Sequence, residues 1–364
     1  MNNPTTFRTA RLKLEDGTLL EGFSFGAEKA AAGEIVFSTA MTGYPESLTD
    51  PSYAGQILVL TYPSVGNYGV PDDRIENGLH TSYESDRIHA AGLLIADYSE
   101  RFNHWNAGRS LSEWLVAQGV PGLFGLDTRM LTKKIRQYGT MLAKIEFDDE
   151  IDFFDPSKTN LVASVSCRQP VVYGNGQHRI LLVDCGVKSN IIRYLLRYNT
   201  TVVRVPWDFD PAGEMYDGLF ISNGPGDPVM CDATISNLRN TLNDDRPIFG
   251  ICLGHQLLSL AAGASTEKLL FGHRGHNQPV LEAGSNKAWL TSQNHGYAVV
   301  SDSIPELWRP SFINLNDNSN EGIKHIARPF FSTQFHPEAA GGPTDTSFMF
   351  DRFIEAIKVW KQKN

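Results

Sequence analysis

The chain has 364 residues, of which 41% are hydrophobic and 20% charged, with a formal net charge of -9. This is the composition of a soluble globular protein too long for one ordinary core, so two domains are expected. The acidic balance, without any cluster of Lys and Arg, argues against a nucleic-acid partner, because backbone-phosphate affinity comes from clustered cations.

Met1 to Ala10 is polar, and no apolar run approaches the roughly 18 residues that a bilayer span needs. No membrane association and a cytoplasmic location are expected. Four cysteines, Cys167, Cys185, Cys231 and Cys252, form no C-x-x-C pair and are too few for a disulfide framework. They read as reduced thiols.

From Arg11 to Tyr68 the pattern is β-rich. Arg11 to Leu14 and Leu19 to Phe25 flank Asp16-Gly17, a dipeptide suited to a hairpin turn. Ile57 to Thr61 and Ala90 to Asp97 read as further strands. Leu111 to Gln118 reads as a helix opened by Ser110 or Ser112, and Asp127 to Tyr138 as one capped by Asp127 or Thr128. Met141 to Phe147 closes this region as a strand. Asp148 to Gln177, rich in Asp, Pro, Ser, Asn and Gly, has the composition of a linker. The expected division is a first, β-rich α/β domain at 1–150, a linker at 151–178 and a second domain at 179–364.

The second half alternates. Strands at Arg179 to Asp184, Thr201 to Val205, Gly218 to Ser222 and Pro247 to Ile251 are separated by helical segments at Lys188 to Tyr198 and Cys231 to Asn243. The pattern predicts an α/β fold with a mainly parallel sheet and helices on both faces. Sites in such sheets form beyond the carboxyl ends of the strands. A final helix is expected from Thr346 to Lys361.

One strand end carries Gly250-Ile251-Cys252-Leu253-Gly254-His255-Gln256, followed by an apolar helix at Leu257 to Gly263. Gly-x-Cys-x-Gly has the logic of a nucleophile elbow, in which a strained strand-to-helix turn needs small neighbours two positions either side. The thiol then faces the positive end of a helix, where negative charge is stabilised, and the amide of Leu253 is aimed at the space where an oxyanion forms. Most free cysteines are merely small buried hydrophobes. Cys185 lacks the preceding glycine, and Cys167 and Cys231 carry no local signal, so those three read as structural.

A thiol nucleophile needs a base. His336 ends the probable strand Phe330 to Phe335, and Glu338, two residues on, lies on the same side of an extended chain, placed to orient it. A lone His-x-Glu is otherwise commonplace. His273 and His276 lie in a predicted turn, Gly272 to His276, with no further ligand at metal-like spacing nearby, so no metal is expected. His295 either lines a pocket or supports one. Ser222-Asn223-Gly224-Pro225-Gly226-Asp227-Pro228 is a rigid turn whose amides suit an oxyanion or a carboxylate. There is no Walker A loop and no Gly-x-Gly-x-x-Gly opening a helix, so ATP chemistry belongs elsewhere.

Pro247 to Gln256, Ser222 to Pro228 and Gln334 to Glu338 resemble the three signatures of class I, triad-type glutamine amidotransferases, whose fold is flavodoxin-like. Met41 to Tyr53, Leu58 to Gly69, Gly125 to Thr132 and Ser292 to Tyr297 extend the likeness to the glutamine-hydrolysing small chain of carbamoyl-phosphate synthetase, over nearly the whole sequence. The resemblance implies Cys252 as nucleophile, His336 as base, Glu338 as its orienter, and oxyanion amides at Leu253 and Gly224. It implies glutamine-binding positions at Ser52, Gly224, Gly226, Leu253, Gln256, Asn294, Gly296 and Tyr297. Ser52 lies in the first domain, so the implied site straddles the two. The first domain would also dock the partner. Some ammonia-dependent relatives lack the cysteine, which this chain keeps.

The implied activity is hydrolysis of L-glutamine through a γ-glutamyl thioester, with ammonia passed to a large synthetase chain that makes carbamoyl phosphate from bicarbonate, for arginine and pyrimidine synthesis. No cofactor is expected on this chain; ATP and Mg2+ are expected on the large one. A subunit of another amidotransferase, a stand-alone cysteine hydrolase or a non-catalytic scaffold are the alternatives.

Overall fold

A computed structural model describes residues 7–72 and 74–363; the first six residues of the polar leading segment, Asp73 and Asn364 lie outside the described residues. Strands Thr9–Leu14, Met141–Glu146, Ala31–Ser38, Gln56–Leu60, Gly92–Leu94, Gly122–Phe124 and Leu19–Ser24 close, in that order, into a barrel. Thr9–Leu14 and Leu19–Ser24 form the expected hairpin, with Gly17 at φ 89° and the Thr18 amide donating to Asp16 at 3.0 Å.

Helix Leu111–Gln118 is opened by Ser110, not Ser112: the Ser110 hydroxyl accepts from the Glu113 amide while Glu113 reaches back to the Ser110 amide. Helix Thr128–Tyr138 is capped by Asp127, which accepts from the Met130 amide at 2.8 Å. Strand Ala31–Ser38 has no counterpart in the sequence reading. Its start is hidden by Gly33 and Glu34, and Gly33 is required there because a Cβ would sit 2.3 Å from the Gly55 carbonyl of the neighbouring segment.

Between the barrel and the second half, the stretch with linker composition is ordered. It holds helix Val162–Val165 and strand Val171–Tyr173, which pairs antiparallel with Thr200–Pro206. These elements are too short for a periodic signal, and Val162 is secured by burial against the sheet.

The second half is built on a ten-stranded sheet. Its centre is parallel, in the order Thr200–Pro206, His178–Asp184, Gly218–Ile221, Ile248–Ile251, Phe330–Thr333. Numbered along the chain this is 2-1-3-4-5, the flavodoxin-like arrangement, with its crevice where the order reverses between the first and third strands.

Alternation along His178–Asp184 explains the layering. Ile180 and Leu182 pack with Ile191, Leu195, Phe350 and Phe353, whereas Leu181 and Val183 pack with Leu238, Leu257 and Leu258. Helices Ser189–Leu195 and Phe348–Lys363 thus cover one face, and Asp232–Thr241 and Leu253–Ala262 the other.

Beyond Phe330–Thr333 the sheet continues antiparallel through Asn320–His325, Trp308–Asn314 and the long hairpin Thr266–Glu282 with Ala288–Val299. Gly272 to His276, read above as a turn, lies inside the strand Thr266–Glu282. Register shifts between Lys268 and His273 and between Gly275 and Gln278 account for its turn-like sequence, with Gly272 at φ 67°. Among the described residues no helix is long and apolar enough to cross a membrane.

Phe353 is fully buried, its ring 5.7 Å from that of Phe220 and 5.9 Å from that of Phe249. Phe353→Ala is expected to lower unfolding free energy by about 3–5 kcal/mol, read from the urea midpoint of the sheet domain by near-ultraviolet circular dichroism.

Candidate active site

Four strand ends converge on one place. Asp184 leads to Lys188, Ile221 to the Gly224 loop, Ile251 to Cys252 and Thr333 to His336. At Cys252 the backbone stands at φ 54° and ψ -105°, a conformation a non-glycine residue rarely takes, directly before the helix Leu253–Ala262. The bend is held from both sides, with the Cys252 amide donating to the Thr333 carbonyl at 2.8 Å and the Gln256 amide to the Cys252 carbonyl at 3.2 Å.

The flanking glycines have no substitutes. A Cβ on Gly250 would lie 2.5 Å from the Gly254 carbonyl oxygen, and one on Gly254 2.2 Å from that of Ile221. One on Gly224 would lie 2.0 Å from the Cys185 carbonyl oxygen. Close approach of three strand ends is therefore what brings the Gly224 loop up to the thiol, which itself is 2% exposed and contacts the Asn294 carbonyl at 3.6 Å.

His336 Nδ1 pairs with Glu338 Oε1 at 2.7 Å, as the His-x-Glu spacing predicts, and both side chains are buried. His336 Nε2 is also buried and has no hydrogen bond among the described residues, leaving it available to the thiol. Burial and the charge of Lys188 oppose protonation of the ring, but Glu338 and Cys252 outweigh them, and the pKa rises to about 9. Glu338 is held down to about 2: burial alone would raise it, and Lys188 and His336 reverse that.

Lys188, Asp50 and Asn223 belong to the site and were not singled out from sequence. Lys188 Nζ lies 3.1 Å from Glu338 Oε1, 3.3 Å from His336 Nδ1 and 3.9 Å from Asp50 Oδ2. Because Nδ1–H is committed to Glu338, the lysine acts on the imidazole through charge and through the shared carboxylate. Asp50, from the barrel, accepts from the Asn294 amide group at 3.2 Å and from the Ser52 backbone at 2.9 Å. Asn223 donates to Ser52 Oγ at 2.9 Å and so ties the loop of Gly224 to the barrel. The signal for Lys188 is its place at the end of the first strand, beside the order reversal, which only the strand order reveals.

One cavity borders Cys252 and gathers every position the resemblance named for glutamine. Gly224 and Gly226 come from the loop, the latter at φ 87°; Leu253 and Gln256 come from the helix; Asn294, Gly296 and Tyr297 come from the strand Ala288–Val299; Ser52 comes from the turn Pro51–Tyr53. Gln256 holds this wall in place, donating to the Tyr297 carbonyl at 2.8 Å and to Gln334 Oε1 at 2.9 Å. Arg274, Glu34 and Lys268 add charge to the lining, the last two as an ion pair at 2.6 Å between strand Ala31–Ser38 and the long hairpin.

His273, His295 and Glu321 stand within 4.8 Å of one another through their ligand atoms, a cluster that sequence spacing did not disclose. Their ring nitrogens are engaged by protein: His273 with Asp317 at 2.8 Å and Gln293 at 3.0 Å, His295 with the Tyr297 carbonyl at 2.8 Å. His295 thus supports the cavity wall from behind as well as lining it.

Residues 12–145 match the family model of the carbamoyl-phosphate synthase small chain, CPSase domain, and residues 181–356 that of class-I glutamine amidotransferases. The carbamoyl phosphate synthase arginine-specific small chain of Saccharomyces cerevisiae is 49% identical, matched over 96% of this chain and 88% of its own length. The chain belongs to the carbamoyl-phosphate synthase small-chain family.

Two longer relatives match over 97% of this chain at 48% identity. They are the multifunctional protein URA2 of Saccharomyces cerevisiae and the mitochondrial carbamoyl-phosphate synthase [ammonia] of Homo sapiens, of which the chain spans only 18% and 24%. One relative's name specifies ammonia, so for a member of this family the nitrogen donor has to be read from the site itself.

In this family member the His336 and Glu338 shifts have opposite signs with pH. Stability from the raised His336 is full below its ordinary pKa of 6.5 and is lost as pH rises through about 9. That from the depressed Glu338 is full above 4.5 and is lost as pH falls through about 2. The His336 ring, followed by NMR, is expected to titrate well above 6.5, with the midpoint moved down by Glu338→Gln and up by Lys188→Met. An unshifted midpoint in both variants would contradict the assignment of causes.

Proposed function

We propose that this chain is the glutaminase of a carbamoyl-phosphate synthase. L-glutamine occupies the cavity beside Cys252, and the thiolate attacks its side-chain carbonyl while the amides near Leu253 and Gly224 receive the oxyanion. His336, oriented by Glu338, protonates the departing nitrogen and then activates water against the γ-glutamyl thioester. The ammonia goes to a large ATP- and Mg2+-dependent chain, which joins it to bicarbonate and phosphate.

The observation that carries this reading is the Cys252 elbow. A strained thiol at a helix start, before a cavity of amides and glycines and with a buried imidazole behind it, fits an amide substrate and would be superfluous in a chain fed by free ammonia. The match of residues 12–145 favours a carbamoyl-phosphate synthase over another amidotransferase. A passage for ammonia is supported by a second cavity. It shares Asn294 with the first and is lined by His336, Lys188, Asp50 and Gly341.

With the chain assembled on a large synthetase chain, Cys252→Ser is expected to reduce glutamine-dependent carbamoyl phosphate formation by at least about a thousandfold while ammonia-dependent synthesis persists. Loss of both activities, or of neither, would sink the proposal.

A further inference from the structure

Arg274 is buried and borders the cavity beside Cys252, yet little of its hydrogen-bonding capacity is spent on protein. A guanidinium offers a planar fork of N–H donors. Here Nη1 donates to the Phe271 carbonyl at 2.6 Å, Nε is buried without a partner, and among the described residues no carboxylate pairs with the group. Glu34 acts on it through charge alone, since its own oxygens are taken by Lys268 at 2.6 Å, Thr140 at 2.8 Å and Gln56 at 3.4 Å. Arg274 differs in this from the other buried cation of the site, Lys188, which meets Glu338 and Asp50.

The guanidinium is held in place by its surroundings. The Arg274 carbonyl accepts from the Thr39 amide of the barrel at 3.2 Å, and across the hairpin Arg274 pairs with Asn294, whose carbonyl the Cys252 thiol contacts at 3.6 Å. Two glycines make room for the fork. A Cβ on Gly272 would lie 2.6 Å from Nη1, and one on Gly296 3.2 Å from Nη2. Gly296 lines the same cavity, so the cation stands against a wall already built for a ligand.

We propose that Arg274 receives the α-carboxylate of L-glutamine and so sets the cavity's preference for the free amino acid over glutamine whose α-carboxyl is in amide linkage; this rests on the glutaminase reading above. With the side-chain amide at Cys252, the α-carboxylate is the anionic group of the substrate that the cavity has to meet. Of the two cations lining that cavity among the described residues, Lys268 is already paired with Glu34 and Arg274 is not. A guanidinium fork can donate to both carboxylate oxygens at once, and such charge-assisted bonds are roughly twice as strong as neutral ones. Burial works against the charge of Arg274, while Glu34, Tyr53 and Cys252 support it, and a bound carboxylate acts in the same sense as these.

The test uses the assembled synthase with L-glutamine and with its α-amide, L-glutaminamide, which keeps the reacting group and lacks the α-carboxylate. Arg274→Gln is expected to lower kcat/KM for L-glutamine relative to the α-amide by roughly ten- to a hundredfold, mainly through KM, and Arg274→Lys by less, because it keeps the charge without the fork. Ammonia-dependent synthesis checks that each variant has folded and assembled. An equal fall for both substrates, or a fall in kcat alone, would mean that Arg274 only braces the barrel against the sheet, and overturns the proposal. A wild type that does not distinguish the two substrates overturns it as well, and that comparison, with Arg274→Lys, decides the matter if Arg274→Gln does not assemble. If Cys252→Ser keeps its hydrolysis of L-glutamine, the underlying reading fails instead.

Discussion

The constraint on which the site depends is the closeness of three backbone segments under Cys252. Holding a non-glycine residue at φ 54° costs on the order of 1–3 kcal/mol and persists only where the surroundings fix it. Here they do so through the hydrogen bond to Thr333 and through contacts at Gly250, Gly254 and Gly224 that leave no room for a Cβ. The strain has a chemical return. It places the thiol at the start of the helix Leu253–Ala262, against the Asn294 carbonyl and on the cavity that the Gly224 loop lines.

A second constraint joins the barrel to the sheet. Lys188 is a buried cation, and such a charge is tolerable only when countered. Its partners are Glu338 from the sheet side and Asp50 from the barrel. Asp50 also holds Asn294, and Ser52 beside it holds Asn223. Separating the two halves would strip a counter-ion from Lys188 and two anchors from the cavity wall together. Docking of the barrel and preparation of the thiol's surroundings are therefore one event energetically.

What was legible in the sequence follows from range. The hairpin at Asp16-Gly17, the two capped helices, the β-α-β alternation and the elbow are local patterns written in adjacent residues. The strand Ala31–Ser38 was missed because its glycine serves contact with Gly55 rather than a turn, and Gly272 to His276 was misread because glycines at a bulge look like glycines at a turn. The antiparallel half of the sheet buries polar residues such as Thr291, Gln293 and His295, which erases the usual apolar alternation. Catalytic candidates were found because each sits in a short motif; Lys188 and Asp50 were not, because their meaning arises from a contact across 138 positions of chain.

Charge at the junction of the two cavities adds a last step. On the glutaminase reading, ammonia is released next to Lys188, a potential proton donor that would trap it. Burial favours a neutral lysine, yet Glu338, Asp50 and Glu84 together raise its pKa above the ordinary lysine value. Lys188 is thus a fixed charge rather than an acid, and it can orient the Glu338–His336 pair without exchanging protons with the product. The proton-active group is then His336, which on that reading meets the substrate. A device that must generate a nucleophile and hand it on uncharged needs that separation between groups that hold charge and groups that move protons.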